Sequence, residues 1–291
     1  MTVETVGVMS PGDMGSGVGG VLKKNGLRVI TALNGRSDDS KRRASEQGFE
    51  DVGSLDELVI QSDIVLSILV PSEALSFAEN ISEVMVRTDA KVAFADCNAV
   101  SPATGMKIGE EISDAGGKFI DAGIIGGSPR TGAVPRFYAS GKHANVLGEL
   151  DGKGISVPIM NGPIGSASGL KMVYAALTKG TAALYASTLM TAKSLDLYEE
   201  LISELEQSQA GTLAGMDSLK TVSTKAFRWI GEMDEIAATF GYAGTTSKIH
   251  EGASETFKTI TYSSIGHERV DSVDKKRSLE DSISAMLKRA D

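Results

Sequence analysis

The stretch from Thr5 to Gly26, T-V-G-V-M-S-P-G-D-M-G-S-G-V-G-G-V-L-K-K-N-G, constrains the fold more than any other part of the chain. An apolar run of strand character leads into a glycine turn and then into a helical pattern. That order is the opening of a βαβ unit. The turn lets the backbone come close to a pyrophosphate, and the helix N-terminus offers unpaired N–H groups to its charge. The spacing departs from G-x-G-x-x-G at one place: Ser10 holds the first position, with Gly12 and Gly15 at the second and third. Serine is small enough for such a turn. The expected ligand is therefore a dinucleotide, held by Ser10, Pro11, Gly12, Asp13, Met14 and Gly15. The bland alternative is a tight strand-to-helix turn of any α/β domain.

With 291 residues the chain has room for two domains. Strand-forming runs at 4–9, 27–33, 63–69, 91–95 and 118–121, with more at 134–139, 144–148 and 156–159, alternate with helical patterns near 13–25, 38–47, 54–61, 72–87 and 101–115. Alternation of this kind predicts a largely parallel sheet covered on both faces. From Gly165 to about Leu195 no proline interrupts a run rich in alanine, leucine and methionine, which predicts one long helix. More helices are expected at 196–208, 210–219, 223–241 and 274–289, with 242–272 irregular apart from a short helix near 252–260. The expected fold is α/β: a Rossmann-type doubly wound sheet over 1–162, followed by a smaller all-α C-terminal domain over 163–291 that begins with a long interdomain helix.

Charge and composition narrow the function. The net charge is −9 with no basic block, which argues against nucleic acid and anionic membranes as partners. No apolar run has the length of a membrane span, and the N-terminus lacks the pattern of a signal peptide. A single cysteine, Cys97, excludes an internal disulfide framework and fits a reducing cytoplasm. His143, His250 and His267 are scattered without metal-ligand spacing, so no metal site is expected.

The second strand should end beside the adenine ribose. An NAD enzyme places Asp or Glu there to accept from the 2′-hydroxyl. This chain instead runs through Asn34-Gly35-Arg36-Ser37, with no carboxylate before Asp38. The planar fork of Arg36 suits a 2′-phosphate, and Asn34 and Ser37 can donate to it. NADP(H) is the expected cofactor, with NAD second.

Four later segments carry a more specific resemblance. They are Leu69-Val70-Pro71; Asp96-Cys97-Asn98-Ala99-Val100-Ser101-Pro102; Asp121-Ala122-Gly123-Ile124-Ile125-Gly126-Gly127; and Gly162-Pro163-Ile164-Gly165 with Lys171 six residues on. In this order the chain resembles the β-hydroxyacid dehydrogenases, relatives of 6-phosphogluconate dehydrogenase. The tail, Phe227 to Ala237 and His250-Glu251-Gly252-Ala253, is similar to a branch with a short helical C-terminal domain whose members mostly have no assigned substrate.

The resemblance implies roles. Lys171 would be the catalytic general acid/base, since hydride transfer at an alcohol needs a group that takes or returns the hydroxyl proton. A lysine partly buried beside a nicotinamide cation would have its pKa lowered toward a useful range. Val70, Pro71 and Asn98 would lie along the ribose and nicotinamide. Gly123, Gly126 and Gly127 would belong to the substrate loop. The family's serine in that loop is Ile125 here, which leaves the N–H groups of the glycine pair as the anion cradle. Arg130 stands just beyond, either as a source of charge or as a solvated loop residue. The family's asparagine four residues after the lysine is Ala175 here, so Tyr174 or Thr178 would supply the hydroxyl contact. A second family lysine falls at Glu232, which either meets substrate or closes a local salt bridge. His250 carries no expected catalytic role, and Cys97 reads as filler rather than a nucleophile.

The reading is an NADP-dependent oxidoreductase moving a hydride between nicotinamide and a small β-hydroxy acid or its carbonyl form, working as a homodimer. One rival is imine reduction on the same scaffold, which the resemblance associates with Asp or Tyr at the place of Lys171. Another is a non-catalytic NADP(H) sensor, which would bind the cofactor and turn nothing over.

Overall fold

The computed structural model describes residues 2–270 and 272–290. Its strands are β1 (Thr5–Met9), β2 (Arg28–Thr31), β3 (Glu50–Asp51), β4 (Ile64–Ser67), β5 (Ala93–Asp96), β6 (Lys118–Ile125) and β7 (Arg136–Ser140). They form one sheet in the order β3-β2-β1-β4-β5-β6-β7. Every pairing is parallel except that of β6 with β7. Strand order reverses between β1 and β4, and such a switch point opens a crevice at the carboxyl ends of the strands.

The helices of this half are α1 (Asp13–Lys24), α2 (Asp38–Glu46), α3 (Leu55–Gln61), α4 (Pro71–Thr88), α5 (Pro102–Asp114) and α6 (Ala144–Gly148). Their starts are written locally. Ser37, Ser54 and Ser101 cap α2, α3 and α5 by accepting an N–H of the first turn, and Pro71 and Pro102 open α4 and α5. Successive strand residues feed two cores. Val6, Val8, Leu66 and Ile120 pack with Val18, Leu22 and Leu147 of α1 and α6. Val65, Phe94 and Phe119 pack with Leu58, Phe77, Ile81 and Ile108 of α3, α4 and α5. Both faces are covered, which is why these strands read as apolar runs rather than as alternation.

The second half is helical: α7 (Ser166–Ser194), α8 (Tyr198–Ser208), α9 (Ala210–Met216), α10 (Ser223–Tyr242), α11 (Lys248–Thr261) and α12 (Leu279–Leu287). Helices α10 and α11 pack through Met233, Ile236, Phe257 and Ile260, all buried, with Trp229 edge-on to Phe257 at 5.1 Å. Packing divides the chain into two compact units, Met1–Met172 and Val173–Asp291. The first unit thus keeps the opening turns of α7.

Several local expectations need correction. Residues 144–148 form helix α6, not a strand; a five-residue apolar run does not distinguish the two by period. The run 156–159 makes only isolated bridges, Arg136 to Ser156 and Ala139 to Ile159. The polar stretch after 242 contains α11, fourteen residues long, whose apolar stripe Ala253, Phe257 and Ile260 recurs at helical spacing. Strand β3 has two exposed residues and no apolar signal.

Candidate active site

The glycine turn lies at the carboxyl end of β1. Gly12 is the N-cap of α1 in extended conformation, and no side chain caps that end. The first-turn N–H groups therefore face outward without a protein acceptor from a cap. A Cβ on Gly12 would meet nothing within 4 Å, so the space over the turn is open to a ligand. A Cβ on Gly15 would collide with the carbonyl oxygen of Ser10, so the third glycine is required by the turn itself. This donor set fits a pyrophosphate. Asp13 opens the helix, and Arg130 sits against it with Nη1 3.5 Å from Oδ1, while the Ser128 hydroxyl donates to the Asp13 carbonyl at 3.0 Å. Arg130 thus packs beside the glycine turn.

Beyond the end of β2 a cavity of about 400 Å³ is lined by Asn34 and Arg36 on one side and by Ser54, Asp56 and Arg87 on the other. Arg87 pairs with Asp56 at 2.6 Å. Sequence reasoning missed this second wall, because α3 and α4 bring it in from far along the chain. Ser37 is the N-cap of α2, accepting from Ser40 N at 3.3 Å, so its hydroxyl already serves the helix. The carboxylate of Asp51, on β3, accepts from Leu33 N at 3.1 Å and Gly53 N at 2.9 Å rather than facing a ribose.

On the other side of the switch point, four polar residues stand in register across neighbouring strands: Ser67, Asp96, Asp121 and Ser140. All four are buried. Asp121 anchors α7. Its Oδ2 accepts from Ser140 Oγ at 2.6 Å and from the N–H groups of Gly165 and Ala167 at 2.9 Å and Ser168 at 3.3 Å; its Oδ1 accepts from Ser168 Oγ. A carboxylate buried at a helix N-terminus meets both the free donors and the positive end of the dipole.

One turn further along α7, Lys171 Nζ donates to the Ile124 carbonyl at 2.5 Å. Gly123 makes this approach possible, since a Cβ there would lie 2.8 Å from the Ala167 oxygen and 2.9 Å from Lys171 Cβ. Gly123 is buried under the helix, where it lets α7 approach β6 closely. Immediately beyond, Gly126 and Gly127 are exposed, and Gly126 has a φ of 126°, open to glycine alone among common residues. Ile125 is buried, which leaves backbone N–H groups as the polar surface of that loop.

The Asn98 side chain is bonded within the protein. It is 2% exposed. Its Nδ2 donates to Ser67 Oγ at 2.8 Å and to Asp96 Oδ1, and its Oδ1 accepts from Leu69 N at 2.5 Å. The amide is consumed inside the protein, tying the loop after β5 to the loop that carries Val70, the exposed N-cap of α4, and Pro71. Cys97 is buried, and burial followed by the two neighbouring carboxylates pushes its thiol well up, away from nucleophilic thiolate.

Of the residues expected from the helical tail, Thr178, Glu232 and His250 have partners close by in their own part of the chain. Tyr174 is exposed, and the Thr178 hydroxyl donates to the Ala175 carbonyl of its own helix at 3.2 Å. Glu232 pairs with Lys179 at 2.8 Å, and Lys179 also lies 5.7 Å from the Trp229 ring centre. His250 is buried against Phe240. Among the described residues no cluster of His, Cys, Asp or Glu could hold a metal ion, and no helix is long and apolar enough to cross a membrane.

Comparison with known proteins agrees with this geometry. The NAD binding domain of 6-phosphogluconate dehydrogenase matches residues 5–147, and a domain of unknown function, DUF1932, matches residues 192–260. An uncharacterised 28.5 kDa protein of Methanothermus fervidus is 33% identical over 186 residues, 64% of this chain and 70% of that one. The chain belongs to the 6-phosphogluconate dehydrogenase-like NAD(P)-binding family. Members of this family are NAD(P)-dependent oxidoreductases, and this chain is of the branch with a short helical C-terminal domain. A conserved protein of unknown function, described as structurally similar to 3-hydroxyacid dehydrogenases, superposes with a TM-score of 0.65 at 27% identity over 88% of this chain and 96% of that one. A 3-hydroxyisobutyrate dehydrogenase of Mycobacterium tuberculosis, solved with L-serine, shares the fold with a TM-score of 0.67 at 16% identity over 98% and 99% of the two chains.

Proposed function

We propose that the protein is an NADP-dependent dehydrogenase acting on a small β-hydroxy acid or the corresponding carbonyl compound. One observation carries the reading. Lys171 is held against the end of β6 by the Ile124 carbonyl, and that strand runs directly into the exposed Gly126-Gly127 pair. A proton carrier on α7 and an anion cradle after β6 therefore lie at one end of one strand. The nicotinamide, when bound, supplies the hydride acceptor or donor. Lys171 takes the hydroxyl proton at Nζ in oxidation and returns it in reduction. The Ile124 carbonyl aims that nitrogen, and the N–H groups of Gly126 and Gly127 hold the substrate carboxylate. Tyr174, Thr178 and Glu232 remain proposed substrate contacts of lower rank, since each has the local surroundings described above.

The cofactor is NADP rather than NAD on this reading, supported by Arg36 in the cavity wall and by the absence of a ribose-facing carboxylate in Asn34-Gly35-Arg36-Ser37. The functional unit is a homodimer, supported by the exposed Val173, Tyr174, Leu177 and Leu184, which recur along α7 at helical spacing. The buried, unpaired Cys97 suits the cytoplasm.

The test is absorbance of reduced nicotinamide across a panel of β-hydroxy acids and their semialdehydes, with NADP(H) and NAD(H). Turnover should prefer NADP(H), and Lys171→Ala should lower kcat by about a hundredfold or more, the order of a lost general acid/base. Turnover that survives Lys171→Ala removes the lysine from the mechanism. NADPH binding without turnover of any substrate would favour a sensor.

A further inference from the structure

The buried row at the carboxyl edge of the sheet contains one group that the proposed chemistry does not use. Asp96 ends β5, is 1% exposed, and shares its register with Ser67 on β4 and Asp121 on β6. Asp121 has both oxygens engaged, whereas Asp96 Oδ2 has no hydrogen-bond partner among the described residues. The other oxygen of Asp96 accepts from the Asn98 amide. That amide reaches in two more directions, to Ser67 Oγ on one side and to Leu69 N on the other. The chain of contacts therefore runs from β5 through Asn98 to the loop after β4. Those two loops flank the half of the crevice that lies beyond the switch point, away from the Arg36 cavity, where the nicotinamide half of a dinucleotide extends.

We propose that Asp96 is a positioning residue that acts through Asn98, clasping the loops after β4 and β5 in the spacing that receives the nicotinamide half of the cofactor. Ionised Asp96 is acceptor-only and holds the Asn98 N–H by a charge-assisted bond; protonated, it holds it more weakly. Burial above all, with the Asp121 charge adding to it and the Asn98 amide opposing, pushes the Asp96 carboxyl up to about 7. The clasp tightens as pH rises through that value and slackens below it. The titratable groups facing Asp96 are Asp121 from β6 and the adjacent Cys97, which burial keeps as a neutral thiol. From β4 it faces the uncharged Ser67.

The experiment measures NADPH affinity by the fluorescence of the bound reduced nicotinamide, from about pH 6 to about pH 8, in the wild type, Asp96→Asn and Asn98→Ala. The wild type should bind about tenfold more weakly at the acid end, the order of one charge-assisted bond lost. Titration of the cofactor phosphate is common to all three proteins, so the difference between their profiles isolates Asp96. Asp96→Asn should lose the weakening at the acid end, giving a flatter profile than the wild type, while keeping the outline of the side chain. Asn98→Ala removes the amide through which Asp96 acts and should flatten the profile too, which provides the answer if Asp96→Asn does not fold. A purely structural role would shift affinity equally at every pH. Variant profiles parallel to that of the wild type overturn the proposal and leave the cofactor reading intact. The proposal rests on dinucleotide binding, so a wild type that binds neither NADPH nor NADH overturns both.

Discussion

Replacing Asp121 with asparagine asks how far α7 depends on one buried carboxylate. Its Oδ2 accepts from three backbone N–H groups of the α7 start and from Ser140, and its Oδ1 from the Ser168 hydroxyl. Asparagine has nearly the same outline, so no cavity opens. With its carbonyl oxygen at the Oδ2 position the amide keeps four contacts but makes them neutral. Hydrogen bonds to a charged group contribute about 1.5–3 kcal/mol and neutral ones about 0.5–1.5, so the exchange costs about 1 kcal/mol per bond and about 4 in all. Removing a buried charge returns part of this, because a desolvated carboxylate is itself unfavourable. The net destabilisation expected for Asp121→Asn is therefore about 2–3 kcal/mol. Urea unfolding reads it as a lower midpoint at unchanged slope. A second consequence reaches the chemistry. Lys171 is three residues beyond Ser168, so a loosened first turn shifts Nζ from the Ile124 carbonyl and lowers turnover. NADPH affinity should hold at about pH 8, where Asp96 is ionised with or without the Asp121 charge and the glycine turn and Arg36 lie elsewhere. A variant with the wild-type urea midpoint and wild-type turnover would refute the reasoning.

Other outcomes follow from the same geometry. Arg36→Ala should weaken NADPH binding by about 10- to 100-fold, as for one lost charge-assisted contact, and leave NADH binding nearly unchanged; calorimetric titration with both cofactors decides it, and equal losses for the two would remove Arg36 from the 2′-phosphate. Burial lowers the pKa of His250, whose Nδ1 has no partner among the described residues. The folded state therefore disfavours the imidazolium, and stability falls as pH drops from the ordinary value of 6.5 toward the lowered one. His250→Phe should flatten that part of the Tm-against-pH curve, and a slope identical to the wild type would assign the loss to other groups.

Much of the first half is legible in the sequence, because its signals are local. The turn from Ser10 to Gly15 and the apolar strand runs that alternate with helical patterns each act on the residues beside them. The family resemblance from Leu69 to Lys171 rests on short motifs of the same kind. What stayed hidden depends on pairing across the sheet. The row of Ser67, Asp96, Asp121 and Ser140 is drawn from four separate strands, and no spacing along the chain announces it. The amide of Asn98 meets Ser67 and Leu69, which lie 31 and 29 residues away in sequence. Glu232 likewise needed its partner Lys179 to be seen as half of an ion pair. Helix α6 was misread because five residues are too few to show a period.

The anchoring of α7 on Asp121 bears on where the nucleotide unit can be cut from the rest. A polypeptide ending at Gly162 would contain the whole sheet and the glycine turn, yet its interior would hold a carboxylate stripped of the Gly165, Ala167 and Ser168 N–H groups. By composition that cut looks clean; by hydrogen bonding it severs the fold from its own plug. A separable piece has to carry the beginning of α7 with it, and any chimera that exchanges helical tails should be joined within α7 beyond Met172 rather than before the helix starts.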